Sequence, residues 1–270
     1  MELNMEIIAE IGWNFLGDME LAERMVVDAK KSGATVAKFQ YWSEKKLRPG
    51  PWDDDGRREI YQNAQLNSEK IKQLIKMCEV NDINFLISCF NAEDAEFLRS
   101  IGVRKIKIPS HEIANINLHK FSSKNFSKSY ISLGAGSFDE LKNAASIYNL
   151  EGCKWVGMHC VSSYPCPIKK INLPKLNVLK KFTSSLGLSD HTSEVFTPAL
   201  SLAYGVEVIE KHFTSDNNLP GRDNKFALNP LKFREMVNLI EFAQSANLNW
   251  GNDASSLEID TIQNYRGRWG

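Results

Sequence analysis

The sequence is most informative first in what it lacks. No apolar run approaches the roughly 20 residues that cross a bilayer, and residues 1–11 carry neither the basic stretch nor the cleavage pattern of a signal peptide. There is no surplus of charge: 33 basic and 33 acidic side chains cancel, and no dense Lys/Arg run stands out. Neither nucleic acid nor a membrane is therefore an expected partner. The cysteines (Cys78, Cys89, Cys153, Cys160 and Cys166) are odd in number and contain no CxxC pair. They read as free thiols of a reducing cytoplasm, which excludes a disulfide framework and a cysteine zinc cage. HExxH is absent as well, and no glycine-rich turn follows the first apolar run. The second absence argues against a doubly wound nucleotide-binding sheet.

What is present is a regular alternation. Short apolar runs with strand composition occur at 5–12, 35–40, 83–88, 104–108, 127–132, 154–160, 186–188 and 206–209. Between and after them lie helical patterns at 21–31, 68–81, 92–101, 116–122, 138–148, 177–182, 196–204 and 230–246. Eight strand–helix units in 270 residues predict an α/β fold, the (β/α)8 TIM barrel, over residues 1–250. Residues 251–270 form a polar tail, and no second domain is expected. Segment 41–67, with Pro49, Gly50, Pro51 and three consecutive aspartates, reads as a long loop of functional or flexible character. His119 falls on a helix and is expected at its exposed face.

In a (β/α)8 barrel the chemistry sits at the C-terminal ends of the strands. The polar residues predicted there are Glu10, Lys38, Gln40, Ser88, Lys107, Ser110, Glu112, Ser132, Ser162, Tyr164, Ser189, His191 and His212. Lysines and serines converging on one mouth make an anion pocket for a phosphate and a carboxylate. His191 and His212 end successive strands and suggest a divalent metal site, with Asp190 and Glu210 as acidic neighbours. Glu10 and Glu112 are candidate bases. A Schiff-base aldolase using Lys38, Lys107 or Lys211 is a competing reading. Cys160 and Cys166 read as small buried hydrophobes.

Motifs in consistent order sharpen this: AEIG at 9–12, VAKFQ at 36–40, KIPSHE at 107–112, HCVSSYPCP at 159–167, GLSDHT at 187–192, EKHF at 210–213 and LPGRD at 219–223. Together they resemble the barrel domain of the sialic acid synthase (N-acetylneuraminate synthase) family over roughly residues 5–250. The resemblance implies a metal-dependent, aldol-type condensation of phosphoenolpyruvate with an open-chain N-acetylated aminosugar such as N-acetylmannosamine. The products would be a nonulosonic acid and phosphate.

By the same resemblance, Mn2+ or Mg2+ is held by His191 and His212. Phosphoenolpyruvate is held by Lys38, Ser88, Lys107, Ser110, Ser132, Ser162 and Ser189, and the sugar by Gln40, Tyr164 and Asp223. Glu10, Glu112 and Lys38 are the expected catalytic residues. A homodimer is also implied. The sequence departs from the family pattern at His111 (usually Gly), at Ser162 and at Arg222 (usually Pro), and in offering no C-terminal antifreeze-like domain. That domain supplies an arginine to the sugar site, so either a separate polypeptide provides it or Arg222 substitutes. Two alternatives stay open. One is a related synthase using a phosphorylated sugar, with Arg48, Arg57 and Arg58 as candidates for the second phosphate. The other is a partner-dependent or catalytically altered barrel.

Overall fold

The structure, a computed structural model, describes residues 5–50 and 56–270. Its strands are β1 Glu6–Gly12, β2 Val36–Gln40, β3 Asn84–Ser88, β4 Lys105–Ile108, β5 Lys128–Ser132, β6 Lys154–His159, β7 Leu186–Asp190 and β8 Val206–His212. They close into a barrel in sequence order, with β8 pairing back onto β1. All pairs are parallel. The helices are α1 Met19–Lys31, α2 Arg57–Ala64, α3 Ser68–Val80, α4 Ala92–Ser100, α5 Ile116–Asn125, α6 Phe138–Glu151, α7 Lys175–Leu179, α8 Thr197–Ser201, α9 Arg222–Phe226, α10 Pro230–Ala246 and α11 Ile259–Asn264.

Side chains on a strand alternate between two faces, and here one face lines the barrel interior while the other meets the helices. Ile8, Val36, Leu86, Tyr130, Val156, Met158 and Val208 form a dry inner plug. Burying each such aliphatic side chain contributes about 1.5–3 kcal/mol. Below the plug the Glu6 carboxylate on β1 accepts from Lys128 and from the Tyr130 hydroxyl on β5, a tie across the barrel diameter. Above it, most inward positions are polar, and this layer is the site described below. The outward faces pack on the helices in a second, larger core.

Helix ends follow their local chemistry. The Asp18 carboxylate caps α1 by accepting from the backbone N–H of Glu20 and Leu21. Ser137 and Glu140 form a reciprocal capping box on α6. Such caps satisfy amide groups that the first helical turn leaves without partners.

Some expectations are corrected. Segment 41–67 is not a plain loop: it contains a 3-10 turn at Glu44–Lys46 and helix α2, docked through the buried Ala64 and Leu66. Its triple aspartate lies outside the described residues. His119 is fully buried; its Nε2–H donates to Ile113 O at 3.0 Å and its Nδ1 faces the Tyr148 hydroxyl at 3.2 Å. Residues 251–270 form a short 3-10 turn and α11, with every residue exposed. Among the described residues no helix is long and apolar enough to cross a membrane.

Candidate active site

Register brings the inward polar residues to one height at the C-terminal end of the barrel. Glu10 lies opposite Lys38 on one side and His212 on the other. Ser88 faces Gln40 and Lys107, and Ser189 faces Glu210. Parallel strands with alternating side chains make this convergence a consequence of pairing.

The buried charges form a chain. Lys38 Nζ lies 2.7 Å from Glu10 Oε2, 3.0 Å from Ser88 Oγ and 3.7 Å from Glu210 Oε2. Lys107 Nζ is 2.7 Å from the same Glu210 oxygen and 3.4 Å from Met158 Sδ. Ser189 donates to Glu210 Oε1 at 2.8 Å, and Gln40 donates to Glu10 Oε1. Ser110 and Ser162 share a hydrogen bond of 2.6 Å at the rim of the same pocket. Gly134 borders it so closely that an added Cβ would stand 2.5 Å from Cys160 Sγ and 3.1 Å from Ser162 Oγ.

Burial and neighbours set the protonation states. Burial pushes the Glu10 carboxyl up, against Lys38 and with help from Glu210. Burial alone would raise Glu210 too, but Lys107 and Lys38 outweigh it and hold that carboxyl well below the usual range. Burial lowers Lys107, with Glu210 opposing. In Lys38 burial also acts downward, yet Glu10 and Glu210 together carry it above the ordinary lysine value. Two carboxyls that share Lys38 thus have opposed tendencies: Lys107 and Lys38 hold Glu210 down, whereas burial pushes Glu10 up.

The histidines stand beside this chain, with ring centroids 5.6 Å apart. His191 donates Nδ1–H to Val161 O at 2.7 Å, which leaves a lone pair on Nε2. Burial and the neighbouring His212 lower it to about 3. Burial also lowers His212, whose Nδ1 is enclosed without a hydrogen-bond partner. Neutral imidazoles with a ring nitrogen carrying no partner (His212 Nδ1) or only a 3.4 Å contact to Ser189 Oγ (His191 Nε2) fit a divalent metal. Among the described residues no group of three or more His, Cys, Asp or Glu forms a complete cage. The pair therefore offers two imidazole donors and no third protein ligand among the described residues.

The remaining candidates surround the mouth. The Tyr164 ring packs 4.2 Å from His191. Asp223 Oδ2 accepts from Trp13 Nε1 at 2.8 Å and lies 3.8 Å from His212 Nδ1. Glu112 Oε2 accepts from Asn115 at 2.8 Å, and the same residue lies 4.0 Å from His111. Arg222, next to Asp223 in sequence, donates to Tyr164 O at 3.2 Å. His111 stacks on Phe90 and takes no place beside the histidine pair.

Two expected participants point elsewhere. Lys211 and Asp190 pair with each other at 2.7 Å, and Lys211 also donates to Thr192 O. They occupy the outward face of β7 and β8, one residue out of phase with Ser189, Glu210 and His212. This removes Lys211 as a Schiff-base candidate and Asp190 as a neighbour of the histidines. Glu210 sits at the hub of the lysines, and Ser189 stands between it and His191, 2.8 Å from Glu210 Oε1 and 3.4 Å from His191 Nε2. Its role was readable in principle, since it precedes His212 by two residues and so shares its face. Arg58 pairs with Glu44 at 2.9 Å.

A closed barrel with a buried lysine–carboxylate chain and a histidine pair at its C-terminal end defines a (β/α)8 protein with an enclosed, charged site at its strand ends. The profile of the NeuB family matches residues 25–251. The N,N'-diacetyllegionaminic acid synthase of Campylobacter jejuni is 32% identical over 255 residues, covering 89% of this chain and 76% of that protein. The pseudaminic acid synthase of the same organism is 32% identical over 253 residues, covering 89% and 74%. The crystal structure of N-acetylneuraminic acid synthetase from Leptospira borgpetersenii, in complex with citrate, superposes with a TM-score of 0.87 at 28% identity. That match covers 96% of this chain and 90% of the other. The chain belongs to the NeuB family, whose members among these relatives are nonulosonic acid synthases.

Proposed function

We propose that this protein condenses phosphoenolpyruvate with the aldehyde of an open-chain N-acylated aminosugar, giving a nonulosonic acid and inorganic phosphate. The observation that carries the reading is the convergence of buried Lys38 and Lys107 with Ser88, Ser110, Ser132, Ser162 and Ser189, next to two neutral histidines. Two ammonium groups and several hydroxyls suit a small molecule bearing both phosphate and carboxylate. The relatives named above, one of them a diacetyl sugar acid synthase, support the sugar class.

In this reading Lys38 and Lys107 hold the phosphate and carboxylate and so fix the enol carbon toward the mouth. His191 and His212 would hold a divalent cation, Mn2+ or Mg2+, which when bound supplies Lewis-acid polarisation of the sugar carbonyl. The enol carbon forms a bond to the aldehyde carbon, and the aldehyde oxygen takes a proton from solvent water at the mouth. Water adds to the electron-poor carbon that carried the phosphate ester. Glu10, raised by burial, accepts the proton of that water. The carbon–oxygen bond to phosphate then breaks, leaving a keto acid. Gln40, bonded to Glu10, and Asp223, Glu112 and Tyr164 around the rim orient the sugar.

The test is phosphate release from phosphoenolpyruvate with manganese and a panel of N-acylated hexosamines, comparing wild type with His191→Ala and His212→Ala. Release that needs one sugar and is lost in both variants is the expected result. Sugar-independent release, or release unaffected by both substitutions, would overturn the reading.

A further inference from the structure

The N-terminal end of the barrel, opposite the mouth, carries a second concave feature. A cavity of about 860 Å3 opens there, between the starts of β5, β6 and β7 and the ends of α6 and α7. Lys128, Lys154, Lys180 and Lys181 line it, and among the described residues no aspartate or glutamate does. In a chain whose formal charges cancel, this is a local surplus of positive charge. The volume falls within the roughly 300–1,000 Å3 of sites for small organic molecules.

The fold does not account for these lysines. This end of a (β/α)8 barrel ordinarily serves stability. Lys128 does so by donating to Glu6 on β1. The ammonium groups of Lys154, Lys180 and Lys181 have no ion pair or hydrogen bond among the described residues. Glu6 is shared between Lys128 and Tyr130, and Glu207 accepts from Ser185 Oγ at 3.0 Å, so neither carboxylate pairs with those three. Lys180 and Lys181 follow α7, where a cation favours the helix C-terminus. Lys128 and Lys154 open strands, and that preference does not place them. Like charges gathered round one cavity repel, and an anion seated between them removes the repulsion.

The lining also offers ring surface. Trp155 is fixed by donating Nε1–H to Asn149 Oδ1 at 3.0 Å, and its ring packs 5.7 Å from Tyr148. Phe182, half-buried, packs edge-on against Phe138 at 5.5 Å.

We propose that this cavity is a second anion site, for a small phosphate-bearing metabolite that carries more than one negative charge. Lysine binds phosphate as a point charge, whereas a planar carboxylate is better matched by the fork of arginine. Lysines spread around the rim suit charge distributed over several phosphate oxygens. The site lies at the far end of the barrel from Lys38 and Lys107, and the proposal does not rest on the reading of the mouth.

Cys153 lines the same cavity and is half-buried, whereas Cys78, Cys89, Cys160 and Cys166 are buried, so its thiol reports on occupancy. In the full chain, its alkylation by N-ethylmaleimide, an uncharged reagent, is followed by peptide mass spectrometry. Inorganic pyrophosphate and adenosine triphosphate are titrated separately. Alkylation should slow as either probe fills the cavity. The midpoint should rise by about 10-fold or more in the triple variant Lys154→Gln, Lys180→Gln, Lys181→Gln. These three side chains are exposed, so the variant keeps the fold. The matching triple Lys→Arg variant keeps the charge and should retain the protection.

Equal midpoints for the two probes support a site that reads phosphates alone. A lower midpoint for the nucleotide supports a site that also uses Trp155 and Phe182. Absence of slowing with both probes overturns the proposal. So does slowing that the glutamine variant leaves unchanged, because the anion then sits elsewhere. The readout needs no turnover, so its outcome is separate from that of the condensation assay.

Discussion

Glu210 illustrates how one residue's role depends on what stands opposite it. It is an anion held between Lys107 and Lys38, with Ser189 satisfying its second oxygen. Its own strand places it one step below His212, but only closure of β8 against β7 and β1, with β4 across the interior, makes it the hub of the lysines. Glu210→Gln keeps the shape and removes the charge, stranding buried Lys107 beside a neutral amide. Removing one member of a buried ion pair costs about 3–5 kcal/mol, and denaturant unfolding at pH 7 should show a loss of that order. The pH dependence has a definite sign. Because the folded carboxyl is depressed, its contribution is complete above the unfolded value of about 4.3 and fades as pH falls further. The gap between wild type and Glu210→Gln should therefore narrow below about pH 4.3.

Sequence patterning passes over α2, α9 and α11, and of these α2 is the one that carries a ring, Tyr61, of the Trp13–Trp42 aromatic cluster. Its eight residues carry Tyr61 to Trp13, and its end is met by Gly17, which follows β1 with φ +84°. A Cβ at Gly17 would fall 2.0 Å from Asn63 O, so close approach and positive φ both demand glycine. Gly17→Ala should loosen α2 at a cost of about 1–3 kcal/mol. Limited proteolysis should cut segment 41–67 faster. Unchanged cleavage would mean that α2 does not depend on this contact. The segment was read as a loop because its prolines and aspartates mask a helix whose one fully buried side chain, Ala64, produces no apolar stripe. Strands β1 to β8, by contrast, were legible because each is a short apolar run ended by polar residues.

At the scale of the whole molecule, several buried histidines are kept neutral by the fold. Burial lowers His119, His159, His191 and His212. His119 is the clearest case outside the site, lowered to about 4 against about 6.5 in the unfolded chain. As pH falls below about 6.5 the unfolded chain takes the proton first, so stability declines until the native ring also titrates. At pH 5 this one residue should account for a loss of about 2 kcal/mol relative to neutral pH. Unfolding free energies at pH 7, 6 and 5 should show the decline, and His119→Gln should flatten it even if its baseline is lower. Equal slopes would remove His119 as a source of acid sensitivity. The sequence suggested an exposed His119 because α5 has only a weak apolar stripe, and what buries the ring is packing between α5 and Tyr148 of α6. The alternation of strand and helix, the barrel and the residues at its mouth were determined by the sequence itself, through local patterning and period-two geometry. Tertiary structure decided which polar residue meets which. Lys211 and Asp190 turn outward while Glu210 turns to the lysines, and Trp13 reaches Asp223 across 210 positions. Those outcomes depend on register and barrel closure, which bring together residues that no local sequence pattern relates.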